Sequence, residues 1–174
     1  AIASISFLSN LEIAIGRVRS NAAPEIGSSS VLSGMRFLCA EDNALNAEIL
    51  EVILEMYGAS CTICPDGAEL VKAFEIVKPG EYDAILMNIQ MPHMNGYEAT
   101  KAIRGGRNPL GKTIPIIAMT ANAFSDDIQN SIAAGMDAHI SKPIDVAILE
   151  KTMRWFLTPP RIHSTRANVC EKHS

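Results

Sequence analysis

FLCAEDNALNAEIL, residues 37–50, sets an unbroken apolar run against two acidic residues and then an amphipathic stretch. The run, taken as a strand over 36–40, does not alternate apolar with polar, as expected of a strand covered on both faces. Glu41 and Asp42 close it. In the following ALNAEILEVILEMYG, Leu45, Ile49, Val52, Ile53 and Met56 recur at i, i+4, i+7, i+8 and i+11, which predicts the buried face of a helix. Glu48, Glu51 and Glu55 fall on the other side, and Gly58 supplies a stop.

The same alternation continues to residue 157. Further strands are predicted over 60–64, 84–87, 114–119 and 138–141, with Pro115 at the start of the fourth, where a missing N–H is tolerated. Asp66 and Glu69 form a D-x-x-E capping box ahead of Leu70, Val71 and Phe74, and Asn95 and Glu98 repeat it ahead of Ala102 and Ile103. Ser125 opens a helix with Asp126 and Asp127 in its first turn, Ile128 and Ile132 along it, and Gly135 as its stop. Asp145 opens a last helix with Leu149, Met153 and Phe156 on one face. Short links between strand and helix predict an α/β fold, a doubly wound parallel sheet. In such sheets the site lies at the carboxyl ends of the strands.

What stands at those ends is polar. Glu41 and Asp42 follow the first strand, Asn88 the third, Thr120 the fourth and Lys142 the fifth. An acidic pair suits a hard divalent cation such as Mg²⁺, which takes oxygen ligands. A lysine ammonium and a threonine hydroxyl suit the oxygens of a phosphoryl group. Taken singly, the acidic pair would only cap the next helix, and Lys142 would be a solvated surface residue.

Together, FLCAEDNALNAEIL, DAILMNIQMPHMNGYEAT, IPIIAMTANAF and GMDAHISKPID resemble bacterial response-regulator receiver domains, especially those fused to hybrid sensor histidine kinases. The resemblance spans the middle of the chain, residues 34–157. It implies a flavodoxin-like (βα)5 fold with strand order 2-1-3-4-5. By resemblance, Glu41, Asp42 and the backbone carbonyl of Gln90 are ligands of a Mg²⁺ cofactor, to which position 88 also contributes. Thr120 resembles the hydroxyl that moves toward the phosphoryl group, and Lys142 the lysine that contacts it, ahead of Pro143 and a cis bond. His139 holds the switch position, which is usually aromatic.

Asn88 is the main departure, because the family places its phosphoacceptor aspartate there. An aspartate carboxylate attacks a phosphoryl donor to give a mixed anhydride. A neutral amide oxygen is a far weaker nucleophile, so no stable acyl phosphate is expected at Asn88. The usual three carboxylates and one lysine sum to −2, whereas Glu41, Asp42 and Lys142 sum to −1. Mg²⁺ affinity should fall with that lost charge. A naturally degenerate receiver and an ordinary one blocked by substitution both fit this sequence.

The 174 residues carry a net charge of −4, with 48% hydrophobic and 20% charged residues. That balance argues against a nucleic-acid footprint, which needs a basic face. No apolar run reaches the roughly 18 residues of a membrane span. Residues 1–33 end in NAAPEIGSSS and read as a linker or appended segment. The start at Ala1 suggests a fragment, and residues 158–174 read as a loose tail. Cys61-x-x-Cys64 lacks a second ligand pair for zinc and lies in a strand, where positions three apart face opposite sides. Free thiols suit a reducing cytoplasm. GRNPLGKT, residues 106–113, matches a P-loop pattern, but it follows a helix and precedes a strand, the inverse of a phosphate cradle.

The expected partners are a histidine kinase or phosphotransfer domain, with dimerisation through the face of the fourth helix, fifth strand and fifth helix. A protein-interaction domain independent of phosphorylation is the alternative. A small Mg²⁺-dependent phosphohydrolase would serve the same polar set but lacks a nucleophile.

Overall fold

The computed structural model describes residues 30–121 and 125–158. Strands β1 (Arg36–Ala40), β2 (Ser60–Cys64), β3 (Ala84–Asn88), β4 (Ile116–Thr120) and β5 (Ala138–Ser141) alternate with helices α1 (Ala44–Met56), α2 (Gly67–Glu75), α3 (Gly96–Gly105), α4 (Ser125–Ala134) and α5 (Val146–Leu157). A 3₁₀ turn, Pro109–Lys112, lies between α3 and β4. All strand pairs are parallel, in the order β2-β1-β3-β4-β5. This is the expected doubly wound, flavodoxin-like sheet.

The apolar strands reflect two cores, one on each face. Phe37, Cys39, Leu86, Ile117 and Met119 point to the layer of α1 and α5. Leu38, Ala40, Ile85, Met87, Ile116 and Ala118 point to the layer of α2 and α3, with α4 packed beside α3. Each central strand is buried on both sides, so alternation is absent. No described helix is long and apolar enough to cross a membrane.

Several local expectations need correcting. On α1 the fully buried side is carried by Leu50, Ile53 and Leu54. Val52 and Met56 are 41% and 57% exposed. The helix therefore has two neighbouring apolar stripes: of the predicted face, Ile53 is buried and Ile49 packs against the core, whereas Val52 and Met56 lie on the outer stripe. β4 starts at Ile116, so Pro115 lies just before it, and its carbonyl accepts from Ile85 N–H. Asn88 and Thr120 are the last residues of their strands rather than the first beyond them.

The Asp66 cap is half of a box: its carboxylate accepts from Glu69 N–H, while the Glu69 side chain pairs with Lys72 at 2.7 Å. At Asn95 and Glu98 both halves form. Residues 30–33, assigned to the preceding segment by sequence, belong to the folded unit. Leu32 is fully buried in the α1–α5 core, and Ser30 bonds the Glu150 carboxylate of α5. The expected tail lies outside the described residues beyond Thr158, as does the expected linker before Ser30.

The two stripes of α1 make separable predictions. Leu54→Ala removes a fully buried side chain and should cost about 2–5 kcal/mol in urea unfolding. Met56→Ala should stay within about 0.5 kcal/mol of the parent. Equal losses would mean that the helix is rotated from the orientation described.

Candidate functional site

The parallel sheet sends every strand's carboxyl end to one edge, and the chain's polar strand-end residues gather there. Glu41, Asp42, Asn43, Asn46, Asn88, Gln90, Thr120 and Lys142 line one cleft of about 240 Å³. The α1 N-cap shapes one wall: the Asn43 side chain accepts from the Leu45 and Asn46 amides. The β3–α3 loop shapes another. Gly96 N–H donates to the Ile89 carbonyl at 2.8 Å. A Cβ at Gly96 would meet the Asn88 carbonyl oxygen at 2.3 Å, so only glycine fits that close approach.

At the centre, the Asn88 side-chain nitrogen donates to Asp42 Oδ1 at 2.9 Å and to the Gln90 carbonyl at 3.1 Å, with Glu41 Oε1 at 3.4 Å. Three oxygens thus face one nitrogen, which identifies the amide edge: an oxygen there would meet only acceptors. Glu41 is only 4% exposed. Its Oε2 pairs with Lys142 Nζ at 2.5 Å. Its Oε1 also accepts from Asn43 N–H at 3.2 Å and from the Asn46 side chain at 3.4 Å. A buried carboxylate survives only with such compensation.

The oxygens of Glu41, Asp42 and Gln90 are of the kind a hard divalent cation selects. As arranged, all three accept from the Asn88 side-chain nitrogen. Among the described residues no group of three or more His, Cys, Asp or Glu side chains is placed to hold a metal. Replacing the amide by a carboxylate would add a third negative charge beside Asp42. Two like charges 4 Å apart repel by about 4 kcal/mol at an effective dielectric near 20, and by less where solvent reaches them, as it does Asp42.

Thr120 is buried at the end of β4, and its carbonyl accepts from Lys142 N–H at 2.7 Å. The Lys142–Pro143 bond is cis. His139 is exposed on the edge strand β5, in register with Ala118, one pleat before Thr120. It is not among the residues that line the cleft. Sequence reading missed Asn43 and Asn46. Their signal was polarity in the first turn of a helix that starts at the acidic pair. A second hollow beside the cleft is bounded by Asp42, Gln90, Pro92, Tyr97 and Asp127. Burial and the Asp127 carboxylate push the Tyr97 hydroxyl's pKa up.

The other two leads are structural. Cys61 faces the α1–α5 core and Cys64 the opposite one, so the pair is split across the sheet. A hydrogen bond from the Cys39 thiol lowers the Cys61 pKa, whereas burial raises those of Cys39 and Cys64. The segment matching a P-loop runs through the 3₁₀ turn, where Gly111 packs against the Ile103 carbonyl.

Two predictions test this electrostatic account. Lys142→Met strands the Glu41 charge and should cost about 1–3 kcal/mol, the partial exposure of Lys142 tempering the full buried-pair value. Adding Glu41→Gln should recover most of that loss; a double variant as unstable as the single one would refute the pairing. Iodoacetamide with peptide mass analysis should modify Cys61 before Cys64 and at lower pH, because a lowered pKa gives more thiolate.

The family profile described as the response regulator receiver domain matches residues 37–154. The chain is similar to probable histidine kinase 2 of Oryza sativa subsp. indica, 40% identical over 125 residues. That match covers 66% of this chain and 12% of the relative, so the chain spans a small part of it. The receiver domain of sensor histidine kinase PA1611 from Pseudomonas aeruginosa PAO1, solved with a magnesium ion in its active-site cleft, aligns with TM-score 0.63 and 38% identity over 72% of this chain and all of that one. The receiver domain of Ssk1, solved with the phosphotransfer protein Ypd1 of Saccharomyces cerevisiae, aligns with TM-score 0.61 and 27% identity over 70% of this chain and 88% of that one. Relatives in plants, fungi and bacteria mean that the likeness is not confined to bacteria. With its sheet order, and with the family profile matched over more than half its length, the chain belongs to the response regulator receiver domain family.

Proposed function

We propose that this receiver domain serves a hybrid sensor histidine kinase phosphorelay without accepting a phosphoryl group itself, because Asn88 stands where the acceptor carboxylate is needed. The observation that carries the reading is the gathering of Glu41, Asp42, Thr120 and Lys142 around the Asn88 amide. In phosphoryl transfer the donor's bond to phosphorus breaks as a carboxylate oxygen bonds to it, and the product is a mixed anhydride. The Asn88 amide is neutral and turns its nitrogen, not its oxygen, toward Asp42 and Gln90.

Magnesium binding through Glu41, Asp42, Asn88 and the Gln90 carbonyl is weakened for the same reason: one ligand charge is gone. Thr120 and Lys142 keep the family's phosphate-facing roles, with His139 at the switch position. The domain signals rather than turns over substrate, since a phosphohydrolase would need the nucleophile that Asn88 lacks. The reading puts this segment in the cytoplasm, whatever anchors its parent chain.

Its partner is a histidine kinase or phosphotransfer domain. Leu45, Ile49, Val52 and Met56 form a half-buried to exposed apolar stripe along α1 that begins beside Asp42, which supports docking of an apolar helical face next to the cleft. Ile132 of α4 and Ile148 and Trp155 of α5 are also exposed, which supports a further contact through the α4–β5–α5 face, including a dimer. Because Asn88 blocks the covalent step, a binding role independent of phosphorylation is the second reading.

Acetyl phosphate with Mg²⁺, read by intact mass spectrometry, tests this. The parent protein should gain no phosphoryl group, and Asn88→Asp should gain one. Modification of the parent at residue 88 would end the proposal of an inactive acceptor. An Asn88→Asp variant that stays unmodified would sink the assignment of the site.

A further inference from the structure

We infer that the Asn88 carboxamide does the work of a divalent cation in the cleft, and so makes the stability of this domain independent of Mg²⁺. The inference rests on the reading of the cleft as the receiver's acidic site, and adds what holds that site together.

Adjacent carboxylates at the end of a strand repel each other, and a nearby backbone carbonyl adds a third oxygen. Something positive must sit among them. Lys142 supplies a full charge, but its ammonium is committed to Glu41 Oε2 on one flank. The oxygens left over are Asp42 Oδ1, the Gln90 carbonyl and Glu41 Oε1. All three lie within 3.4 Å of Asn88 Nδ2. A primary amide has two N–H donors. The two shorter contacts, Asp42 and Gln90, take one hydrogen each. Glu41 Oε1, at 3.4 Å, relies mainly on Asn43 and Asn46. The cleft is thereby satisfied from within. No buried side-chain nitrogen or oxygen among the described residues lacks a hydrogen-bond partner.

An aspartate at position 88 has the same shape and no donors. It would turn a satisfied set into three carboxylates facing one committed lysine. Such a cleft gains stability from a cation, whereas this one does not. For an ion to enter here, two hydrogen bonds in a site only 7% exposed at Asn88 must break first. The amide thus accounts for cation independence and for weak cation binding with the same atoms.

Thermal unfolding of the parent protein and of Asn88→Asp, in EDTA and in millimolar MgCl₂ at matched ionic strength, tests this. The parent's Tm should agree in the two buffers to within about 1 °C. Asn88→Asp should melt about 5 °C lower than the parent in EDTA and recover that loss in MgCl₂. The side-chain amide pair of Asn88 in a ¹H–¹⁵N spectrum of the parent should not move on adding MgCl₂, a readout that needs no variant to fold. A parent protein stabilised by MgCl₂ as much as Asn88→Asp, or an Asn88 amide that shifts saturably with Mg²⁺, would overturn the inference. The receiver reading would survive that outcome if Asn88→Asp still took up a phosphoryl group. An Asn88→Asp variant as stable as the parent in EDTA would overturn it too.

Discussion

A carboxylate buried at the end of a central strand governs this molecule. Glu41 closes β1 at 4% exposure, and its charge must be met inside the protein. The cation that meets it is Lys142, 101 residues away and just beyond the edge strand β5. Between β1 and β5 lie β3 and β4, whose last residues are Asn88 and Thr120. The ion pair therefore reaches across the carboxyl edge of the sheet and encloses the two residues beneath it. The observed strand order thus sets the span that this pair must bridge. The backbone supports it: Lys142 N–H donates to the Thr120 carbonyl at 2.7 Å, fixing where the lysine side chain starts.

The amide at position 88 changes the balance of that enclosure without changing its shape. The strand ends carry a charge of −1 with Asn88 and would carry −2 with aspartate. On the proposed reading the nucleophile and one ligand charge are lost; what is gained is a pair of donors aimed at Asp42 and Gln90. Gly96 holds this geometry from behind, since any side chain there would press on the backbone of Asn88 and Ile89. The loop that displays residue 88 is thus set by packing, not by that residue's own chemistry. An isosteric amide can replace the carboxylate and leave the fold intact.

The strand ends were readable because a buried parallel strand is apolar throughout and the functional residues interrupt it abruptly. Glu41, Asp42, Asn88, Thr120 and Lys142 each stand at such a break, and the sheet brings all of them to one cleft. On α1 periodicity finds Ile49 and Ile53 of the core stripe, misses Leu50 and Leu54 beside them, and adds Leu45, Val52 and Met56 of an outer one. A 3.6-residue repeat cannot choose between two stripes when the helix carries both. Leu32 was hidden for another reason: one buried leucine in a Ser- and Gly-rich stretch makes no pattern. Asn46 looked like an ordinary surface residue, because its partner, Glu41 Oε1, is defined only once the N-cap turns the helix toward it. The donation from Asn88 to the Gln90 carbonyl had no sequence signal, as every residue has a carbonyl.

The outer stripe of α1 and the amide at its foot bear on one another. Leu45 follows Asp42 by three residues, so a partner seated on Leu45, Ile49, Val52 and Met56 would lie against the wall of the cleft. In an ordinary phosphorelay such a partner delivers a phosphoryl group, and the new charge shifts the domain between two states. On the reading proposed here, no charge can be delivered to residue 88. An equilibrium moves only as far as a ligand's differential affinity for its two states allows. Any change in output must then come from the partner's own contacts. On that reading, with the cleft already satisfied by Asn88, a partner gains little by neutralising it, and the apolar stripe and its flanking glutamates would carry its selection. Loss of phosphorylation at this site is therefore compatible with retained, and even specific, recognition.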